Sequence, residues 1–192
     1  MTTTFHGLDL LTASGLVFTP RSSTEALVDA ALARIDDGPA TVADVGTGTG
    51  AIAVSLAVAR PDVEVWATDT NEVAVELARA NAARHGVESR VHVLRGNLLE
   101  PVPDSVDVVV ANLPYLPESE RRPEYDDEPD EAIYAAGDGL GPLRTLVALC
   151  ADGKLAMPGW VLVQYHRDVL EADCQHLPEL REELEHAALA RS

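Results

Sequence analysis

Lysine is almost missing from this chain. Lys154 is the only one among 192 residues, and the other 13 cationic side chains are arginines. Against these 14 stand 32 carboxylates, for a formal net charge of −18. Positive charge this scarce argues against a protein that grips nucleic acid across a broad basic face, because phosphate contacts need clustered Lys and Arg. It fits a high-GC coding bias, or a salt-rich interior where acidic surfaces keep proteins soluble. A solvated acidic surface is the plain reading. Cysteine is scarce too. Cys150 and Cys174 stand in no CxxC or metal-like spacing, so they give no disulfide framework and read as free, partly buried thiols. The six histidines (His6, His85, His92, His166, His176, His186) form neither HxH nor HExxH, so no metal is expected. No apolar run approaches the roughly 20 residues of a membrane span. The opening MTTTFHGLDL lacks a basic region followed by an apolar stretch, so no signal peptide is expected. These absences together predict a soluble, cytoplasmic protein.

What is present is a core. A hydrophobic content of 46% argues against a disordered acidic chain, and 192 residues suffice for one domain with a real interior. Residues 1–37 read as a lead-in and first helix, 41–165 as the core sheet, and 166–192 as a helical tail. Ser22-Ser23-Thr24-Glu25 has the form of a capping box, with Ser22 as N-cap and Glu25 reaching back. The helix it opens carries Leu27, Val28, Ala31, Leu32 and Ile35 on one face, and Gly38-Pro39 ends it. Short apolar strands follow at Thr41–Val45, Val63–Thr68, Val91–Leu94, Val106–Ala111 and Trp160–Gln164. Helices are expected between them at Ala51–Ala59, Asn71–His85 and Leu143–Ala151. Asn71 reads as the N-cap of the second of these, with Gly86 closing it. Val106–Ala111 (VDVVVA) is apolar enough for burial on both faces. Arg167 to Arg191 reads as mostly helix, interrupted at Pro178. The alternation predicts an α/β fold with a mostly parallel, doubly wound sheet. Ligands of such sheets bind beyond the carboxyl ends of the strands. The unusual residues cluster there: Gly46–Gly50, Asp69, Asn97 and Asn112 each follow a different strand.

The first of these segments reads Asp44-Val45-Gly46-Thr47-Gly48-Thr49-Gly50. Alternate glycines let backbone approach a ligand without Cβ clashes. The spacing is GxGxG, not the GxGxxG of dinucleotide sites, and Asp44 precedes it where a pyrophosphate would disfavour a carboxylate. An acid there suits an ammonium group instead. Asp69, at the end of the second strand, can accept both hydroxyls of a ribose, although an N-cap role for the helix at Asn71 competes. An ammonium, a ribose and no phosphate describe S-adenosylmethionine. The pattern resembles the first motif, D-x-G-x-G-x-G, of class I methyltransferases, which implies a Rossmann-like fold.

After the fourth strand comes Asn112-Leu113-Pro114-Tyr115. It resembles the N-P-P-Y motif of enzymes that methylate a planar nitrogen. Such a nitrogen has a delocalised lone pair and attacks a methyl sulfonium poorly. A site must hold both N–H hydrogens so that the lone pair turns toward the methyl group. The Asn112 side-chain oxygen can accept one hydrogen and the Leu113 carbonyl the other, while Tyr115 can stack on the flat group. Catalysis is then orientation plus electrostatic stabilisation. Leucine in place of the first proline keeps the carbonyl and loses only the ring that fixes φ.

The flanking segments resemble the HemK-like family of release-factor glutamine methyltransferases. Pro20-Arg21-Ser22-Ser23-Thr24-Glu25 is similar to its P-R-x-x-T-E, and Asn112-Leu113-Pro114-Tyr115-Leu116-Pro117 to its N-P-P-Y-I-P. Glu128-Pro129, Ala132 and Gly137-Asp138-Gly139-Leu140 are similar to its E-P…A-L…G-x-D-G-L segment. The resemblance covers about residues 16–165. It implies methyl transfer from S-adenosylmethionine to the amide nitrogen of a glutamine in a Gly-Gly-Gln loop of a peptide chain release factor. It also implies that Asp44, Gly46, Thr47, Gly48, Thr49, Gly50, Asp69, Asn97, Leu98 and Asn112 hold the cofactor, with Asn97 near the adenine. Asn112, Leu113, Pro114 and Tyr115 take the catalytic roles. The chain departs from the family in several places. Asn97 replaces an acid, Ala135-Ala136 replace a double glycine, and Gln164 replaces an acid after the fifth strand. The family's amino-terminal helical domain has no counterpart before Pro20. Glu179–Ala190 reads as helix, so the family's final β-hairpin is expected to be absent. A small activating partner that completes the missing parts stays open. Two other readings stand beside the first. One is a methyltransferase of the same fold acting on another protein amide or on adenine in RNA or DNA. The other is a decayed cofactor-binding module. Residues 118–131 carry eight acids and two arginines, a formal −6, which opposes a phosphate-bearing substrate.

Overall fold

The computed structural model describes residues 1–166, 168–173 and 175–189. The chain opens with a hairpin, β1 (Thr2–Phe5) and β2 (Leu8–Leu11), where the sequence suggested only a lead-in. Phe5 and Leu10 point from it into the core. Helix α1 (Glu25–Arg34) follows, then β3 (Ala40–Val45), α2 (Ala51–Ala59), β4 (Val63–Asp69), α3 (Glu72–Arg84), β5 (Val91–Arg95) and β6 (Val106–Ala111). Next come β7 (Leu116–Pro117), α4 (Asp130–Ile133), β8 (Tyr134–Ala135), α5 (Gly141–Leu149), β9 (Leu155–Tyr165), β10 (Asp168–Asp173) and α6 (Leu177–Leu189).

The main sheet runs β10-β9-β6-β3-β4-β5. Every neighbouring pair is parallel except β10, which runs antiparallel to β9. The chain therefore leaves β3 in two directions, through β4 and β5 on one side and through β6 and β9 on the other. The crevice between β3 and β6 is the topological switch point at which such sheets bind ligands. Both faces are covered. Leu27, Leu56 and Val75 from α1, α2 and α3 pack on one side, and Leu143, Leu146, Leu177 and Leu180 from α5 and α6 on the other. β6 serves both: Val108 and Val110 face the first cluster, Val109 and Ala111 the second. That is the two-sided burial its apolar run foretold.

Three local expectations fail for identifiable reasons. Ser22-Ser23-Thr24-Glu25 is no capping box. Ser22–Thr24 is a turn of 3-10 helix, and no side chain caps α1. The Glu25 carboxylate instead accepts from the His6 amide at 2.8 Å, tying α1 to the first hairpin. The stretch after β9 is not continuous helix. Asp168–Asp173 pairs antiparallel with β9, from Tyr165 to Trp160, so a strand stands where the sequence suggested helix. Pairing wins over local helix propensity because the strand alternates: Leu170 and Ala172 pack on the core, and Glu171 forms a forked ion pair with Arg34. Arg34 in turn lies over the Trp160 ring at 4.1 Å. Pro178 does not interrupt a helix; it is the second residue of α6, where a missing N–H costs nothing. Cys150 is buried and free, and burial pushes its thiol up to about 12. Cys174 and Ala190 fall outside the described residues. Among those residues, no helix is long and apolar enough to cross a membrane.

Candidate active site

The carboxyl ends of β3, β4, β5 and β6 open on one cavity of about 780 Å³, within the size range of a site for a cofactor and a small group beside it. The glycine loop forms its floor. Gly46, Gly48 and Gly50 all hold positive φ (71°, 55° and 79°), which is why side chains are excluded there. The amides of Gly46 and Thr47 both donate to the Thr68 carbonyl at 2.9 Å, which straps the loop to β4. At Gly50 the reason is packing as well. A Cβ there would stand 3.0 Å from Ala78 of α3.

Asp44 sits beneath this loop, not in it. Its carboxylate is wholly buried; Oδ2 accepts from the Thr47 hydroxyl at 2.6 Å and from the Ala53 amide at 3.1 Å. Burial pushes the carboxyl up to about 6, against the pull of those two donors and with the help of nearby Asp69. Its Oδ1 has no partner. Asp69 does line the cavity. Its two oxygens accept from the Gly48 and Asn71 amides at 2.9 Å each, leaving lone pairs for a further donor. Asn71 caps α3, accepting from Val73 and Ala74, so the capping role falls to Asn71, two positions after Asp69. Asn97 and Leu98 line the same wall beyond β5. Asn97 donates to Glu100 at 3.1 Å, and Leu98 holds a positive φ of 48°. A bulky residue in that conformation is a strained position of the kind ligand sites retain.

Opposite lies the Asn112–Tyr115 turn. Leu113 is buried, and a Cβ on Gly46 would fall 2.7 Å from Leu113 Cδ2. The leucine that replaces a proline therefore fills the space above the glycine loop and joins the two halves of the site. Pro114 lines the cavity. The Tyr115 ring is held by Tyr165 and His166, with ring centres 5.3 and 5.2 Å away. The Asn112 amide donates to the Thr24 hydroxyl at 3.2 Å.

Several residues at this site were not assigned a role from sequence. Gly139 carries the turn: a Cβ there would reach the Tyr115 carbonyl at 2.3 Å. Beside it, Asp138 is fixed by both arms of Arg144 at 2.9 and 2.7 Å, which lowers its carboxyl to about 2. Arg21 lies over Tyr125 at 4.6 Å and Phe18 at 5.5 Å and faces Glu128 at 3.7 Å. Glu128 also accepts from the Thr19 amide. This pins the acidic segment to the lead-in across the cavity mouth. Gln164, buried at the end of β9, lines the same cavity with its side-chain oxygen unpartnered. The signals for these were the P-R, E-P and G-x-D-G-L strings, whose partners are distant in sequence, and for Gln164 its place after the fifth strand, where the family carries an acid.

Residues 22–126, more than half of the chain, match the model of a family described as methyltransferase small domain. The chain belongs to that family. As a methyltransferase small domain it has curated relatives at considerable identity. It is 42% identical over 167 residues to a release factor glutamine methyltransferase of Gloeobacter violaceus, covering 83% of this chain and 57% of the relative. It is 40% identical over 179 residues to one of Deinococcus radiodurans, covering 91% and 60%. The chain thus spans under two thirds of the length of these relatives. Among solved structures it resembles ribosomal protein L11 methylase of Lactobacillus delbrueckii subsp. bulgaricus, with a TM-score of 0.57 and 25% identity over 92% of this chain and 70% of that one. A precorrin 8w decarboxylase of Methanobacterium thermoautotrophicum shares the fold at a TM-score of 0.54 and 23% identity, over 77% of this chain and 64% of that one.

The residues present fit the cofactor of a methyltransferase. Gly46, Thr47, Gly48 and Thr49 line the cavity, with the glycines at positive φ, so loop backbone is presented to the cavity there. Asp69 offers spare lone pairs at one wall. Two buried polar atoms beside the loop, Asp44 Oδ1 and Thr49 Oγ1, are without partners.

Proposed function

We propose that this chain is an S-adenosylmethionine-dependent methyltransferase acting on the side-chain amide nitrogen of a glutamine in a peptide chain release factor, forming N5-methylglutamine. The observation that carries the reading is the seat of the Asn112–Tyr115 turn directly on the glycine loop, through Leu113 against Gly46. A planar nitrogen presented at that turn lies beside the cofactor cradle. The names of the two curated relatives support the choice of acceptor. Residues 1–192 act as a single domain in this reading, and a release-factor acceptor implies work in the cytoplasm.

The bound cofactor supplies an electrophilic methyl group on a sulfonium. The chain supplies the rest. The glycine loop and Asp69 hold the cofactor, with Asn97 and Leu98 flanking its base. Asp44 shapes the loop from below. Asn112 accepts one N–H of the acceptor amide and the Leu113 carbonyl the other, turning the nitrogen lone pair toward the methyl group. Tyr115, braced by Tyr165 and His166, stacks on the amide plane. Orientation and a low-dielectric, polar-lined cavity then lower the barrier.

The test is transfer of labelled methyl to release factor, to its Gln-substituted variant, and to RNA, side by side. Label on the native factor alone is expected. Label on RNA, or persisting on the variant, overturns the acceptor assignment. Asn112→Ala is expected to lower transfer at least about a hundredfold, a far larger effect than its effect on cofactor affinity by calorimetry.

A further inference from the structure

Thr24 occupies the N-cap position of α1, where a threonine hydroxyl ordinarily accepts from the second or third helical amide and contributes about 1 kcal/mol. Here it makes no such bond. Its backbone is helical (φ −83°, ψ −13°), so the side chain does not face the first-turn amides. The residue is buried at 5% exposure in the wall of the cavity. Its hydroxyl meets the side-chain amide nitrogen of Asn112 at 3.2 Å, across 88 positions of sequence. A polar residue that gives up its local bond and keeps a distant one is held by the distant site.

An asparagine amide has two faces of nearly equal shape and opposite chemistry: the oxygen accepts, the nitrogen donates. An acceptor nitrogen bearing two hydrogens needs the oxygen. Resting on the function proposed above, we infer that Thr24 is a positioning residue: its hydroxyl accepts from the Asn112 NH₂ and anchors that amide against α1, leaving the amide oxygen for the methyl acceptor. Thr24 touches neither cofactor nor reacting atoms in this scheme; it acts through Asn112.

Thr24→Val keeps the shape and removes the hydroxyl, and Thr24→Ser restores it. Thr24→Val is expected to lower kcat for methyl transfer about 10- to 100-fold, with acceptor KM and cofactor Kd within about threefold, while Thr24→Ser stays within about threefold of the parent. A loss that serine fails to rescue, a loss confined to KM or Kd, or no loss overturns the inference. A second measurement needs no acceptor. The Asn112 side-chain NH₂ pair is followed by ¹⁵N NMR, assigned by its disappearance in Asn112→Asp. In Thr24→Val its shifts are expected to move and its solvent exchange to quicken, with the serine variant matching the parent. An NH₂ pair indifferent to Thr24→Val overturns the inference even if transfer proceeds. Failure of transfer to every acceptor, with the NH₂ pair responding as expected, instead removes the function proposed above and leaves the Thr24 orientation standing.

Discussion

Asp44 shows how a single buried carboxylate constrains the site. Its folded-state carboxyl titrates at about 6 instead of the usual 3.8. A folded state that holds its proton more tightly is favoured fully below about pH 4, and loses that advantage as pH rises through about 6. Asp44→Asn does not titrate. Its stability relative to the parent is therefore expected to rise by about 2 kcal/mol between pH 4 and pH 7 and then level off, read from denaturant midpoints at each pH. A pH-independent difference would return the carboxyl to its ordinary range. Legibility at this scale divides along the same line. The glycine loop and Asn112 stand out in sequence because backbone conformation and strand-end position are local properties. Asp44 was legible as a motif residue but not as a buried one lying under the loop. Thr24 was hidden by a stronger local pattern, S-S-T-E, whose apparent partner Glu25 is engaged by His6.

Strand and helix identity followed from the sequence wherever burial pattern and propensity agreed, as in β3 to β6 and α2. It failed where pairing decided. DVLEAD contains nothing that forbids helix, and only the antiparallel ladder with β9 makes it β10. The same limit hid the reason for the G-D-G-L string. Gly139, at φ 88°, lies against the backbone between Tyr115 and Pro117, where a Cβ would come within 2.3 Å of a carbonyl and 2.9 Å of Leu116 C. Backbone cannot yield as a side chain can. Gly139→Ala is expected to cost about 2–4 kcal/mol and to separate β7 from β8, which pair through Leu116 and Tyr134. Chemical denaturation measures the loss. Loss of transfer without loss of stability would show that the contact is adjustable.

Across the whole molecule the acidity is unevenly placed. Of the eight acids in residues 118–131, Glu120, Glu128 and Asp130 meet Arg122, Arg21 and Arg121. Asp126 and Asp127 stand exposed beside the cavity mouth. A basic acceptor surface would be steered by such a patch, and the steering would weaken with salt. The Asp126→Asn/Asp127→Asn double variant is expected to raise acceptor KM about two- to fivefold at low ionic strength with kcat unchanged, and to converge with the parent at high salt. Indifference at low salt would reduce the charge to a solubility device. The topology has a consequence of another kind. β3, β4 and β5 carry the glycine loop, Asp69 and Asn97, whereas β6 and β9 carry Asn112–Tyr115 and Gln164. The covalent link between these halves is the segment at 96–105, whose residues 103–105 are exposed. Severed there, the chain is expected to give two inactive fragments, each with half a site. Methyl transfer should reappear on mixing, as β3 and β6 zip along Val42–Val45 and Val108–Ala111, so the fold is in effect a two-part reporter of its own assembly.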